Sequence, residues 1–172
     1  MKRILFSVML TLLPFYSLAN VGVMFAGGKL SAGYLKTTAS RHAVFWQFDH
    51  QWLNTEQQHL SWQLELASSL WNSEYFADIH TVSLTPVFHY VWQQNNYTLY
   101  TGAGIGITKL SSDRLSSRKL GSKWLFEDKL VVGIEAYNHH RLAFSLNHYS
   151  NANLASENDG LTILYFNYSY LW

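Results

Sequence analysis

The sequence predicts an all-β fold: an eight-stranded antiparallel up-and-down transmembrane β-barrel behind a cleaved signal peptide. Three observations carry this reading. A short apolar run follows two basic residues at the amino terminus. Apolar side chains then recur at every second position through most of the chain. The last of these alternating segments stops on an aromatic residue, Trp172.

Composition narrows the class. The chain has 172 residues, of which 48% are hydrophobic, 16% aromatic and only 13% charged. This length suits one domain. The charged share is about half of average usage while aromatics are abundant, a balance that fits strands with one lipid-facing and one polar side. A formal charge of +1 lacks the basic field of a nucleic-acid binder. Cysteine is absent, which excludes disulfides, thiolate-bound zinc and a thiol nucleophile. Two prolines in the whole chain leave room for long uninterrupted strands.

Residues 1–19 read as an address. Lys2 and Arg3 form a positive start, Ile4 to Leu13 is apolar except for Ser7 and Thr11, and Ser17-Leu18-Ala19 offers small residues for cleavage after Ala19. The run is short of the roughly 20 apolar residues that a membrane-spanning helix needs. Removing Lys2 and Arg3 takes the formal charge from +1 to −1. The barrel is then expected over 20–172, with no linker and no second domain.

The elements follow in order. The first strand is placed near 21–27. The second, near 41–51, has Val44, Trp46 and Phe48 on one face. Leu60, Trp62, Leu64 and Leu66 mark the third, near 59–71. Val82, Leu84, Pro86, Phe88, Tyr90 and Trp92 mark the fourth, near 79–92. Leu99, Ala103, Ile105 and Ile107 mark the fifth, near 97–109. The sixth, near 122–135, carries Leu130, Val132 and Ile134, and the seventh, near 139–150, carries Leu142, Phe144 and Leu146. The eighth, near 160–172, puts Leu164, Phe166, Tyr168, Tyr170 and Trp172 on one face. Period two means strand, because successive side chains point to opposite faces. Polar turn residues fall between the runs, at Asn72-Ser73, Gln93 to Asn96, Ser111 to Ser117, Tyr137-Asn138 and Asn151 to Gly160.

An even number of alternating strands of about ten residues behind a signal peptide marks an outer-membrane barrel. A terminal aromatic resembles the insertion signal of such barrels. The soluble rival is a secreted lipocalin-like barrel with its apolar residues inside. The Trp- and Tyr-rich apolar face and the Ser, Thr, Gln and Gly on the other face favour lipid outside. With the amino terminus in the periplasm, the connections near 28–40, 72–78, 110–121 and 151–160 face outward. The third of these carries Lys109, Arg114, Arg118, Lys119 and Lys123 around one Asp113, a run suited to the phosphates of an outer-leaflet lipid or to an ordinary solvated loop.

The chemistry sits in His148-Tyr149-Ser150-Asn151-Ala152, at the outward end of the seventh strand. His and Ser two apart on a strand share a face, and together they form a base–nucleophile pair. A bare His-x-Ser is weak evidence. Phase strengthens it, since His148 and Ser150 continue the register of Leu142, Phe144 and Leu146 and so stand on the lipid-facing side. A polar pair there is costly. The plain reading is an interfacial belt with Tyr149 turned inward.

Phe126-Glu127-Asp128-Lys129-Leu130, then His148-Tyr149-Ser150-Asn151-Ala152, then Asn158-Asp159-Gly160 resemble the outer-membrane lipid A 3-O-deacylases of the PagL type. Leu84-Thr85-Pro86-Val87-Phe88 and Gly102-Ala103-Gly104-Ile105-Gly106 match that family's middle strands. The resemblance implies an eight-stranded barrel that removes the 3-O-linked acyl chain of lipid A without a metal or other cofactor. It implies Ser150 as nucleophile and His148 as general base. It implies an oxyanion hole from Asn151 and the backbone N–H groups of Ala152 or Asn153, although the family often has Gly at the Asn153 position.

One departure concerns the third triad member. The family has Glu two residues after the Asn-Asp-Gly glycine, and here that position is Thr162. An index sum near 310 between the last two strands puts Thr162 opposite His148. A hydroxyl can accept the Nδ1–H bond but brings no charge. Asp128 is the substitute acid: a sum of 276 between strands six and seven sets it beside His148, and 274 sets Phe126 there. An interfacial Asp bound to Lys or to headgroups is the plain reading of Asp128, and Glu157 is a weaker substitute. Trp124, Phe126 and Phe144 are expected to line the acyl chain, and Arg114, Arg118 and Lys119 to hold phosphates. The expected partners are lipopolysaccharide and the outer-membrane bilayer of a Gram-negative bacterium, with no nucleic acid and with homodimerisation left open. The alternative is a catalytically inactive small outer-membrane barrel with a structural or adhesive role.

Overall fold

The computed structural model describes residues 19–30, 37–73, 77–137 and 139–172. The strands are β1 (Ala19–Leu30), β2 (Thr37–Trp52), β3 (Gln58–Ser73), β4 (Ile79–Gln93), β5 (Tyr97–Leu110), β6 (Arg114–Leu115), β7 (Arg118–Lys119), β8 (Trp124–Ala136), β9 (His140–Ser150) and β10 (Leu161–Leu171). The eight long strands close an antiparallel barrel, with β1 bonded to both β2 and β10. Closure removes the edges that an open sheet would leave. All eight predicted strands are present, and most bounds shift by a few residues. β1 and β2 run further outward than the alternation suggested, because their mutual pairing continues to Lys29 opposite Thr38. The predicted signal peptide lies outside the described residues apart from Ala19.

The apolar face points out. Ile105 is 67% exposed and Leu130 59%, and Phe25, Val82, Phe88, Phe144 and Phe166 are exposed with them. This orientation excludes the lipocalin-like alternative, whose apolar residues would point inward. Aromatic rings gather at the end away from the site. Tyr90 meets Trp92 edge-on, and Tyr170 meets Trp172 in the same way, as expected of an interfacial girdle.

The interior is polar and filled. Its centre is a set of paired charges drawn from distant strands. Arg41 on β2 contacts Glu127 on β8 through both terminal nitrogens, at 3.2 and 2.9 Å, and Glu65 on β3 at 3.4 Å. Lys129 reaches both oxygens of Glu65 at 2.7 Å. Asn147 and Thr108 donate to Glu127 at 2.7 and 3.2 Å. Two cations face two carboxylates, and the added hydrogen bonds supply much of the satisfaction that buried charge requires, while Arg41 Nε has no partner among the described residues. Toward the outer end this core gives way to a hydrophobic plug that includes Trp71, Ile79, Leu115, Leu120 and Tyr149.

Candidate active site on the lipid-facing wall

β9 alternates strictly. Ser145, Asn147 and Tyr149 are buried inside, whereas His148 and Ser150 lie half-buried on the outer wall. Two neighbours fix what flanks them. β10 sets Thr162 opposite His148, and β8 sets Asp128 opposite His148 and Phe126 opposite Ser150. The index sum between the last two strands is the expected 310, and of the two even sums left open between strands six and seven, 276 and 274, the register is 276.

His148 Nδ1 lies 2.8 Å from Thr162 Oγ1. In the tautomer with its proton on Nδ1, the ring donates to the threonine oxygen and leaves the Nε2 lone pair free to accept a proton, with Ser150 two residues along on the same face. Gly160 closes the other side. Its backbone has φ +52, and a Cβ there would sit 3.3 Å from the imidazole Cε1. Asp128 is exposed on the outer wall and forms no side-chain hydrogen bond or ion pair among the described residues. Of the two groups considered for Nδ1, Thr162 makes the bond. Glu157 instead pairs with Lys119 at 2.5 Å.

After Ser150 the chain turns sharply. Ala152 and Asn153 take φ of 51° and 60°, and Leu154 N–H donates to Asn151 O at 3.0 Å. These are the features of a type I′ turn. Asn is among the residues that tolerate the left-handed region, so Asn153 can replace a glycine here. The N–H groups of Ala152 and Asn153 donate to no acceptor among the described residues, and both residues are exposed beside Ser150. Asn151 has a different task. Its side-chain amide donates to Leu120 O and Glu157 O at 2.9 and 2.7 Å, and its backbone N–H donates to Asn158 Oδ1 at 3.1 Å. It secures the loop and has no donor left for an oxyanion.

The basic run forms the β6–β7 hairpin, which the sequence did not reveal, since two-residue strands leave no alternation. The hairpin braces the 151–160 loop. Arg118 donates to Gly160 O at 2.7 Å and to Asp159 O at 3.2 Å, and Lys119 N–H donates to Asp159 Oδ2 at 2.7 Å. Gly121, at φ +72, allows the two loops to touch, because a Cβ would lie 2.9 Å from Asn151 Nδ2 and 2.8 Å from the Glu157 carbonyl carbon. Arg114 is exposed, and Lys109 lies over the Trp124 ring at 5.3 Å.

Three apolar depressions surround the pair. A recess of about 250 Å³ beside the turn is lined by Ile107, Trp124, Phe126, Asn151 and Leu154. Leu130 separates two grooves lower on the wall. One, of about 580 Å³, runs past Phe88, Ala103, Ile105 and Asp128. The other, of about 430 Å³, runs past Val132, Phe144, Leu146 and Leu164. Trp124 and Phe126 therefore adjoin Ser150, while Phe144 stands four residues below His148 against Phe166, with ring centroids 5.3 Å apart.

Sequence reasoning missed Gly121 and the working parts of Asn158-Asp159-Gly160. The only signal for the latter was turn chemistry.

Residues 34–171 match the family model described as lipid A 3-O-deacylase (PagL). A lipid A deacylase PagL from Pseudomonas aeruginosa is 30% identical over 122 residues, 70% of each chain. Its counterpart from Bordetella bronchiseptica is 30% identical over 115 residues, 63% of each chain. The crystal structure of the outer membrane enzyme PagL superimposes with a TM-score of 0.80 at 28% identity, covering 86% of this chain and 97% of that one. Neisserial surface protein A, at 11% identity and a TM-score of 0.52, shares the fold alone. With a model match that spans most of the chain, and with relatives that agree in sequence and in barrel geometry, the chain belongs to the lipid A 3-O-deacylase (PagL) family.

Proposed function

We propose that this chain is a serine esterase of the Gram-negative outer membrane that hydrolyses the 3-O-linked acyl ester of lipid A, with Ser150 as nucleophile and His148 as general base. The observation that carries the reading is the His148 Nδ1 to Thr162 Oγ1 bond of 2.8 Å, made on the lipid-facing wall beside Ser150. A polar constellation facing lipid has a solvation cost that a lipid-ester substrate accounts for.

Ser150 Oγ attacks the acyl carbonyl carbon while its proton passes to His148 Nε2. Thr162 Oγ1 accepts the Nδ1–H bond and holds the ring through this transfer. The oxyanion faces the N–H groups of Ala152 and Asn153 at the turn. Collapse breaks the ester bond, and the departing sugar oxygen takes the proton from His148. Water then attacks the acyl-enzyme by the same route and releases the fatty acid. Trp124 and Phe126 receive the start of the scissile chain, and the groove past Phe144 suits a neighbouring chain of the same lipid. Arg114, with Lys109 and Lys123, offers positive charge to phosphates. Arg118 and Lys119 act indirectly by holding the loop. Family membership speaks against the non-catalytic barrel.

The test is mass spectrometry of lipid A from cells expressing the chain or its Ser150→Ala variant. Loss of one hydroxyacyl group with the intact serine alone is the expected result. Unchanged lipid A in both, with the barrel inserted, overturns the reading. Homodimerisation, which the sequence leaves open, is read out by crosslinking in the same membranes.

A further inference from the structure

The lipid-facing side of β2 changes character along its length. Phe48, Trp46 and Val44 are followed outward by His42, Ser40 and Thr38, three polar residues in succession on one face. β1 runs beside it, with Lys29 directly opposite Thr38, Gly27 opposite Ser40 and Phe25 opposite His42. Lys29, Thr38 and His42 are exposed, and Ser40 is half-buried. None of these four side chains makes a hydrogen bond or ion pair among the described residues. His42 meets only the edge of the Phe25 ring, with centroids 5.5 Å apart. At Gly27 the wall is notched, since a Cβ there would meet nothing within 4 Å. Asn72, opposite Thr38 on β3, is committed to Asp78 at 3.0 Å. On the other flank, Phe166 and Leu164 of β10 stand beside Gly27 and Lys29.

We infer that the outward ends of β1 and β2 form a second, non-catalytic lipid site that binds a phosphate of an outer-leaflet saccharolipid. The inference does not depend on the esterase reading. Polar side chains on a lipid-facing wall carry a solvation cost, and a polar ligand removes it. Lys29 is the last lipid-facing residue of β1, so its ammonium extends along an apolar stem to headgroup level. The anions at that level are phosphates, which lysine binds as a point charge. Directly opposite residues have Cβ atoms about 4.5–5.5 Å apart, so Lys29 and Thr38 present an ammonium and a hydroxyl to one group. Ser40 lies one lipid-facing position deeper, where the polar linkages between headgroup and chains follow the phosphate. The notch at Gly27 admits the start of a chain, with Phe25 and Phe166 as its apolar sides. β10 separates this wall from the His148–Ser150 strand, so the two sites stand side by side.

The test is photocrosslinking of the full barrel in phosphatidylethanolamine vesicles that contain a small fraction of labelled lipid A. Ser150→Ala is used throughout so that the lipid stays intact. A benzoylphenylalanine replaces Phe25 to report this wall, and in a second protein it replaces Phe126 to report the wall beside Ser150. Lipid A should crosslink at position 25. Lys29→Ala should lower that yield about ten-fold, the scale of a hydrogen bond to a charged group, while leaving the yield at position 126 in place. Lys29→Arg, which keeps the charge, should retain most of it. Gly27→Leu fills the notch without a clash and should lower the yield several-fold with Lys29 intact. Removing the phosphates from lipid A should have the same effect as Lys29→Ala. A heat-modifiable gel shift verifies that each variant is folded. A Lys29→Ala yield within two-fold of the parent overturns the inference, as does equal crosslinking of the dephosphorylated lipid. Parallel loss at positions 25 and 126 would make this wall part of the Ser150 site and overturns it too. So does crosslinking mainly to phosphatidylethanolamine or to a second copy of the barrel.

Discussion

Replacing Thr162 by Val tests whether a neutral hydroxyl serves where the family has a carboxylate. Val preserves the branched shape and deletes the oxygen that lies 2.8 Å from His148 Nδ1. In the resting enzyme the bond joins two neutral groups and contributes about 0.5–1.5 kcal/mol. As His148 accepts the serine proton its ring becomes cationic, and the same bond rises to about 1.5–3 kcal/mol. The bond is lost in both states, so only the difference of about 1–1.5 kcal/mol acts on the rate, and kcat should fall about five- to thirteen-fold, with KM nearly unchanged. In chymotrypsin-type triads, exchanging the Asp for Asn costs about 10⁴ because the wrong tautomer is imposed. Val imposes no tautomer, so the smaller loss is expected. Thr162→Ser, which keeps the oxygen, should stay within a few-fold of wild type. The assay is steady-state deacylation in mixed micelles. Activity of Thr162→Val within two-fold of wild type, or a loss confined to KM, would refute the assignment of Thr162 to the imidazole.

Two further predictions concern the loop lattice. Gly121→Ala should lower activity by an order of magnitude or more while the heat-modifiable barrel persists, because a Cβ at φ +72 collides with the Glu157 carbonyl and adds about 1–2 kcal/mol of left-handed strain. Limited proteolysis should show cleavage within 151–160 that the wild type resists. At φ 60, Asn153→Gly should keep activity within a few-fold, whereas Asn153→Val should lose at least ten-fold, since a β-branched residue is an outlier at positive φ. Deacylation rates of the two variants side by side decide it.

The sequence displayed the barrel because each wall strand meets lipid on one side, and that imposes period two on β3, β4, β5, β8, β9 and β10 alike. The same parity narrowed the pairings. With both outward sets even-numbered, only even index sums were admissible, which left Asp128 or Phe126 beside His148, and the register selects Asp128 on one side with Thr162 on the other. Three things stayed hidden. Arg41, Glu65, Glu127 and Lys129 come from strands far apart in the chain, and their pairing across the interior depends on barrel closure, which no local pattern encodes. The β6–β7 hairpin has too few residues for periodicity and reads as a basic loop. The family resemblance implied Asn151 as an oxyanion donor, yet its three N–H groups go to loop acceptors. What a polar side chain next to a nucleophile does depends on the three-dimensional path of the loop, which turn-forming residues announce without specifying.

The alternation along β9 assigns stability and chemistry to opposite faces of one strand, and that division can be measured. Tyr149 is fully buried, with its ring centroid 4.8 Å from that of Trp71 and its hydroxyl 3.4 Å from Arg41. Tyr149→Ala should cost about 3–5 kcal/mol, the scale of a large aromatic lost from a core. Asn147→Ala withdraws a 2.7 Å donor from buried Glu127 and should cost about 1.5–3 kcal/mol. Glu127→Ala strands Arg41 inside the barrel and should cost about 3–5 kcal/mol. His148→Ala and Ser150→Ala remove half-buried side chains from the outer wall and should stay within about 1 kcal/mol of wild type, while abolishing deacylation. Urea unfolding in lipid vesicles, run on all five variants, gives the order. If His148→Ala unfolds as readily as Tyr149→Ala, the outer-wall residues are part of the packing that holds the barrel, and the lipid face cannot have been free to evolve its chemistry separately from the core.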